Sequence, residues 1–224
     1  NKKGLLSEIT EKNSRGNIVS YYSFEYDSKG RPVKAEGEDA SGKSFTQTSK
    51  YDSRGNELER KLITVARRTS ENKTLMAYDK SGNLTEVSNF ENGKLSDRQF
   101  ITYENGLRKR TIYLDKEGDT VLVSVPEYNS SGKLLKDERK DKNGVGITYI
   151  YKYDSDGNLS EMIDNETRRN YTSDEKGNAI EYKMYLLDGR RQIRLVFKYA
   201  PNGLQSDQIR YDNSEIEVLH MVYE

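Results

Sequence analysis

The sequence predicts an all-β protein, an antiparallel meander of about sixteen strands forming one domain over residues 1–224. Two observations predict it. A five-residue turn motif, Tyr-Asp/Asn-x-x-Gly, recurs at a nearly fixed interval, and the residues between turns alternate in side-chain character. Regular self-similarity of this kind marks a repeat architecture. A third observation agrees: no stretch shows a sustained helical period with caps, and the three prolines (Pro32, Pro126, Pro201) leave long segments free to pair.

In chain order the motif reads YDSKG from Tyr26, YDSRG from Tyr51, YDKSG from Tyr78, a shortened YENG from Tyr103, YNSSG from Tyr128 and YDSDG from Tyr153. The tyrosines are 25, 27, 25, 25 and 25 residues apart. Degenerate copies follow at TSDEKGN, before Ile180, and at YAPNGL from Tyr199. Secondary turns are expected midway, at Ser41-Gly42, Asn92-Gly93, Glu117-Gly118, Asn143-Gly144 and Asp188-Gly189. Between them Ile18, Tyr22, Phe24 and Tyr26 share one parity, as do Ile147, Tyr149, Tyr151 and Tyr153, and Ile193, Leu195, Phe197 and Tyr199. Period two describes strands with one apolar and one wet face.

The turn residues specify a hairpin. In Tyr153-Asp154-Ser155-Asp156-Gly157-Asn158-Leu159, Ser155-Asp156 form the centre of a type I turn and Gly157 takes the left-handed position of a bulge. Asp154 accepts hydrogen bonds from the turn backbone. Tyr153 then faces Leu159 across the strands, as Tyr78 faces Leu84 and Tyr128 faces Leu134. Pro32 and Glu57 occupy the Leu slot in two copies, with Val33 and Leu58 one place late, so register shifts or extra bulges are expected there.

Composition bounds the chemistry. Lys+Arg and Asp+Glu number 37 each, and the hydrophobic fraction is 33%, below the usual share for globular domains. A thin core follows. Disorder on such grounds also requires high net charge and few aromatics, and this chain is neutral with 17 tyrosines. With no cysteine and one histidine, His220, thiol nucleophiles, disulfides and Cys/His zinc sites are excluded. Balanced charge argues against a nucleic-acid partner. Apolar runs of three residues are too short to span a bilayer. The chain begins at Asn1 rather than Met, as it would after removal of a leader or after simple trimming of the sequence. Sixteen strands in a single layer would extend ~75 Å at ~4.8 Å per strand, so the sheet is expected to curl, open or as a spiral.

The motif resembles the YD repeats of the rearrangement-hotspot (RHS) family of bacterial surface and toxin proteins. Tyr149-Ile150-Tyr151-Lys152-Tyr153-Asp154-Ser155-Asp156-Gly157-Asn158-Leu159 is the best copy, and the resemblance covers roughly residues 18–212. It implies long antiparallel β-ribbons winding into a shell or spiral sheet, a bacterial exported or surface location, and a scaffolding, non-catalytic role. The main period of 25 residues is longer than the family's, and no appended toxin or autoprotease segment is recognisable, so a closed cocoon is not expected.

Functional signals compete with structural explanations. Asp154, Asp156 and Asn158 have the alternate spacing that opens a calcium loop, but Asn165 stands where the closing Glu belongs, and turn chemistry explains them without a metal. Tyr149, Tyr151 and Tyr153 form a stripe able to dock sugar rings. Equivalent positions in other repeats favour a core stripe. Carboxylate pairs carry no information among 37 acidic residues, and none lies in an apolar stretch that would raise its pKa. His220, five residues from the chain end, reads as a terminal-strand residue. Arg67-Arg68, Arg168-Arg169 and Arg190-Arg191 read as solvated edges. The expectation is a non-enzymatic, cofactor-free exported scaffold or interaction module at the cell envelope, whose partner is an envelope protein or polysaccharide. A carbohydrate-binding module using the Tyr face is the alternative.

Overall fold

Tyrosine before the turn, Asp or Asn first in it and Gly fourth recur because they solve one geometric problem, and a computed structural model describing residues 4–222 shows the solution repeated. At Asp154 the amide donates to the Asn158 carbonyl (2.9 Å) and the Gly157 amide to the Asp154 carbonyl (3.1 Å). Asp154 Oδ1 accepts from the amides of Asp156 (3.0 Å) and Asn158 (2.8 Å). Gly157 has φ +86°, a region that costs other residues strain. The register slips by one between Lys152 and Tyr153, after which Tyr153 pairs with Leu159. This is the predicted type I turn with a bulge.

Among the described residues the turns link eighteen strands rather than about sixteen, divided between two units. The first unit, through Leu122, holds β1 (Glu8–Lys12), β2 (Ile18–Tyr26), β3 (Pro32–Asp39), β4 (Ser44–Tyr51), β5 (Glu57–Val65), β6 (Thr69–Tyr78), β7 (Leu84–Glu91), β8 (Lys94–Glu104) and β9 (Leu107–Asp115). The boundary with the second unit falls within β10 (Thr120–Tyr128). The second unit continues with β11 (Leu134–Lys140), β12 (Gly146–Tyr153), β13 (Leu159–Ile163), β14 (Thr167–Ser173), β15 (Ala179–Leu186), β16 (Arg191–Tyr199), β17 (Gln205–Tyr211) and β18 (Glu217–Val222). Within each unit consecutive strands pair antiparallel.

Three hairpins lack the glycine of the motif: β5–β6, β13–β14 and β17–β18, where Glu215 takes the left-handed position. The β5–β6 connection runs through Ala66-Arg67-Arg68. In the β13–β14 turn, Asp164 Oδ1 accepts from the Glu166 (2.9 Å) and Thr167 (2.7 Å) amides, so a carboxylate closes the turn. Pro32 and Glu57 bring no extra bulge. Tyr26 pairs with Pro32 and Tyr51 with Glu57 after the same one-residue slip found at Tyr78 and Tyr153.

The reason is that the slot is read through its backbone. Tyr51 donates its hydroxyl to the Pro32 carbonyl (2.9 Å), Tyr78 to Glu57 (3.0 Å), Tyr103 to Leu84 (3.0 Å), Tyr153 to Leu134 (2.9 Å) and Tyr199 to Ala179 (2.8 Å). Each acceptor is the Leu-slot residue of the preceding motif turn. Any residue has that carbonyl, so proline and glutamate serve as well as leucine. Cations from one turn reach forward to the next: Arg31 Nη1 to the Asp52 carbonyl (3.1 Å), Arg54 Nη1 to Lys80 (2.7 Å), Lys133 Nζ to Gly157 (2.6 Å). These clasps join turns that follow even-numbered strands, which an up-and-down meander brings to one edge of each unit.

They matter because packing is sparse. Among the described residues the only buried hydrophobic side chain is Ile209, at 6% exposure; Ser20, Ser88, Thr111, Ser124 and Asp137 are buried polar residues. In the first unit Tyr22, Phe24, Phe45 and Leu62 share one sheet face, while Phe90, Phe100 and Ile112 lie on the other. In the second unit Tyr149, Tyr151, Tyr171, Tyr182 and Phe197 share one face, while Tyr185 and Tyr211 lie on the other.

Candidate ligand-binding face on β12

Alternation on β12 puts Tyr149, Tyr151 and Tyr153 on one sheet face, all half-buried. The registers extend that face. Tyr151 lies opposite Met162, Met162 opposite Arg169, Tyr171 opposite Tyr182, and Tyr182 and Met184 opposite Leu195 and Ile193. Tyr171 and Tyr182 tilt together with ring centroids 5.4 Å apart, a favourable aromatic separation. The three predicted tyrosines therefore begin a band running from β12 to β16.

The reverse face carries ion pairs, set among Ile150, Ile163, Val196 and Ile209. Glu161 pairs with Lys152 (2.5 Å) and Arg168 (3.4 Å), and Glu181 with Lys183 and Arg194 (2.7 Å each). Arg194 also reaches Glu215 (2.8 Å). Cross-strand opposite charges of this kind keep an exposed face soluble and hold its register.

A buried polar group adjoins the tyrosines. Ser124 and Asp137 have no exposed surface. Ser124 Oγ donates to Asp137 Oδ1 (2.5 Å), and Arg139 Nε and Nη2 lie 2.9 Å from Oδ2. The Arg139 guanidinium stacks 4.8 Å from the Tyr149 ring centroid. Burial pushes the Tyr151 hydroxyl pKa up, and the negative charge of Asp137 adds to the effect. The tyrosines thus differ. Tyr153 commits its hydroxyl to Leu134 and has Lys133 Nζ 5.1 Å from its ring centroid. Tyr149 stacks with Arg139. Tyr151 faces Met162 and makes no hydroxyl hydrogen bond among the described residues.

Sequence reasoning missed Asp137 because Lys136-Asp137-Glu138-Arg139-Lys140 reads as a solvated charge run. The available signal was parity: counting through the β11–β12 turn pairs Asp137 with Tyr149. Other singled-out residues lie apart. Asp154 is engaged by its own turn, and Asn158 Nδ2 donates to its Oδ2 (3.3 Å). His220 Nε2 sits 2.8 Å from Asp207 Oδ1, and that bond holds Asp207 below the usual carboxylate range. Arg168, Arg169 and Arg190 pair with Glu161, Asp164 (2.9 Å) and Asp188 (2.7 Å). Arg67-Arg68 lies in the β5–β6 connection.

No protein-family model and no curated protein matches the chain. Solved structures do. A porin-like protein from Bacteroides uniformis matches with TM-score 0.53 at 12% identity, over 89% of this chain and 93% of that one. That likeness shows a shared all-β fold. Chains from the Photorhabdus luminescens Tc holotoxin pore and from TcdB2-TccC3 match at TM-scores of 0.39 and 0.40, with 10% and 9% identity over 99% and 96% of this chain. The chain spans only 16% and 15% of those two.

Proposed function

We propose that the protein is a non-enzymatic, exported bacterial repeat protein that serves as a scaffold or protein-interaction module at the cell envelope. The observation that carries this reading is the two-sidedness of the second unit. An aromatic band from Tyr149 to Leu195 remains half-exposed opposite an ion-paired face. An apolar band of that extent on one side of a sheet suits a partner surface, and aromatic residues suit contact cores. The YD-type turns and a fold neighbour described as porin-like are in keeping with an envelope location.

A second reading is favoured by one feature. Tyr149 and Tyr151 keep their hydroxyls outside the clasps and lie beside Arg139, an arrangement that could dock a polysaccharide. Binding of the purified chain to envelope fractions of its source bacterium, together with a glycan array, separates the two. The scaffold reading expects protease-sensitive capture by an envelope protein, abolished by Met184→Glu in a variant that keeps its β-sheet spectrum. Array binding lost in Tyr151→Ala would instead assign the face to carbohydrate. Glycan hydrolysis by the chain would overturn the non-enzymatic reading.

A further inference from the structure

Gly37 sits mid-strand in β3, where glycine weakens pairing and often marks a close approach. Its backbone does not require glycine, since it is absent from the positive-φ residues. Space does. A Cβ there would lie 2.6 Å from Tyr22 Cδ1, 2.8 Å from Phe45 Cε1 and 2.8 Å from the Tyr21 carbonyl oxygen. Tyr22 and Phe45 flank Gly37 on β2 and β4. Their rings lean over it with centroids 6.1 Å apart and planes at 42°. Covering a strand glycine with aromatic rings is a structural device, but here it also leaves a recess of ≈ 420 Å³. Tyr22, Phe45 and Leu62 wall it, and Asp39, Lys43 and Thr64 stand at its rim.

The rim groups are available. Asp39 Oδ1 accepts from the Ser41 amide (2.8 Å), the Ser41 hydroxyl (2.5 Å) and the Lys43 amide (3.1 Å), while Oδ2 accepts none of these. Neither Lys43 Nζ nor Thr64 Oγ1 has a hydrogen-bond or ion-pair partner among the described residues. We propose that this recess binds a single pyranose ring. Such a ring presents an apolar C–H face to an aromatic wall and hydroxyls to a carboxylate, an ammonium and a hydroxyl. A purely apolar ligand would strip water from Asp39 and Lys43 without replacing it, and an anion would meet the Asp39 carboxylate. The volume lies toward the small end of the ~300–1,000 Å³ typical of ligand sites. The inference is independent of the scaffold reading, because it concerns the other unit and none of the β12 tyrosines.

Saturation-transfer NMR with methyl glucoside, methyl galactoside and N-acetylglucosamine tests it. The expected result is transfer to the ring protons of at least one sugar. Phe45→Ala should weaken that binding about tenfold through loss of the aromatic wall, with Tyr151→Ala unchanged. Lys43→Met alters an exposed turn side chain and keeps the test decisive should Phe45→Ala lose its β-sheet spectrum. It should weaken the same sugar several-fold. No transfer to any of the three sugars, wild-type affinity in a folded Phe45→Ala, or wild-type affinity in Lys43→Met would overturn the proposal. Loss of binding in Tyr151→Ala would overturn it too, moving the site to β12.

Discussion

A Tyr-Asp pair opens a turn on each edge of the second unit, with different results. Tyr153-Asp154-Ser155-Asp156-Gly157 follows β12, and Tyr211-Asp212-Asn213-Ser214-Glu215 follows β17, so the two lie at opposite ends of the strands. Both turns close alike. The Asp212 amide donates to the Ile216 carbonyl (2.9 Å), and Asp212 Oδ1 accepts from the Ser214 and Ile216 amides (2.8 and 2.9 Å). Both show the register slip at tyrosine, and both rings carry a cation, Lys133 at 5.1 Å and Arg194 at 4.7 Å. Yet Tyr153 is bonded to the neighbouring hairpin through its hydroxyl, whereas the Tyr211 hydroxyl makes no hydrogen bond among the described residues. Around Tyr211 it is Arg191, from the preceding hairpin, that bridges to the Asp212 (3.0 Å) and Asn213 (3.1 Å) carbonyls. The left-handed position there holds Glu215 at φ +62°, gripped by Arg191 and Arg194. The motif therefore specifies a turn, and its place in the meander decides whether the tyrosine becomes a clasp.

Turn geometry should be equally demanding on both edges. Gly203 (φ +83°), on the edge of the Tyr153 turn, and Gly189 (φ +90°), on the other, would meet no heavy atom within 4 Å at an added Cβ, so backbone strain alone opposes substitution. Gly203→Val and Gly189→Val should each cost about 2 kcal/mol in urea unfolding; a cost on one edge only would break the symmetry. Hydroxyl removal should separate the edges. Tyr153→Phe should cost about 1 kcal/mol, the net worth of one hydrogen bond, and Tyr211→Phe close to none. Equal losses would show that the clasp adds nothing beyond the ring. Acid should act on both edges and yield the smallest effect. Asp79 is held below the ordinary value of 3.8 first by its Asn83 side-chain bond, Asp154 first by the Asn158 amide, and Asp188 first by the Arg190 amide. A depressed folded pKa stabilises above the unfolded value and is lost as pH falls through the folded one. The melting temperature should therefore hold between about pH 5 and 8 and decline below about pH 4, as pH-dependent melting curves would show. The Tyr153→Phe difference should persist down that decline, because the clasp's acceptor is a backbone carbonyl rather than a carboxylate.

The fold was legible where one residue's own chemistry fixes the backbone. Gly157 and Asp154 announce their turn, and Tyr149-Ile150-Tyr151 its alternation. Legibility failed where a turn dispenses with glycine, as at Asp164, whose carboxylate accepts the Glu166 and Thr167 amides in a connection one residue shorter. It failed also where the important atom belongs to the backbone. Pro32 and Glu57 look like breaks in the pattern, but Tyr51 and Tyr78 use their carbonyls. On the candidate face the tyrosine stripe was visible, while Asp137 and Ser124 were not, because pairing across β10 to β12 gathers residues that are separately unremarkable. The Gly37 recess required both flanking registers to be known, since Tyr22 and Phe45 meet only across β3.

The central claim is that hydroxyl-to-backbone clasps along one edge of each unit hold these hairpins where a packed core is thin. Urea unfolding of the Tyr51→Phe, Tyr78→Phe, Tyr153→Phe, Tyr199→Phe quadruple variant tests it most directly, because every ring remains and only four oxygen atoms are lost. The account predicts a loss of about 4 kcal/mol, about 1 kcal/mol for each hydrogen bond, with a lower midpoint and an unchanged slope. An unfolding midpoint equal to that of the parent chain would contradict it.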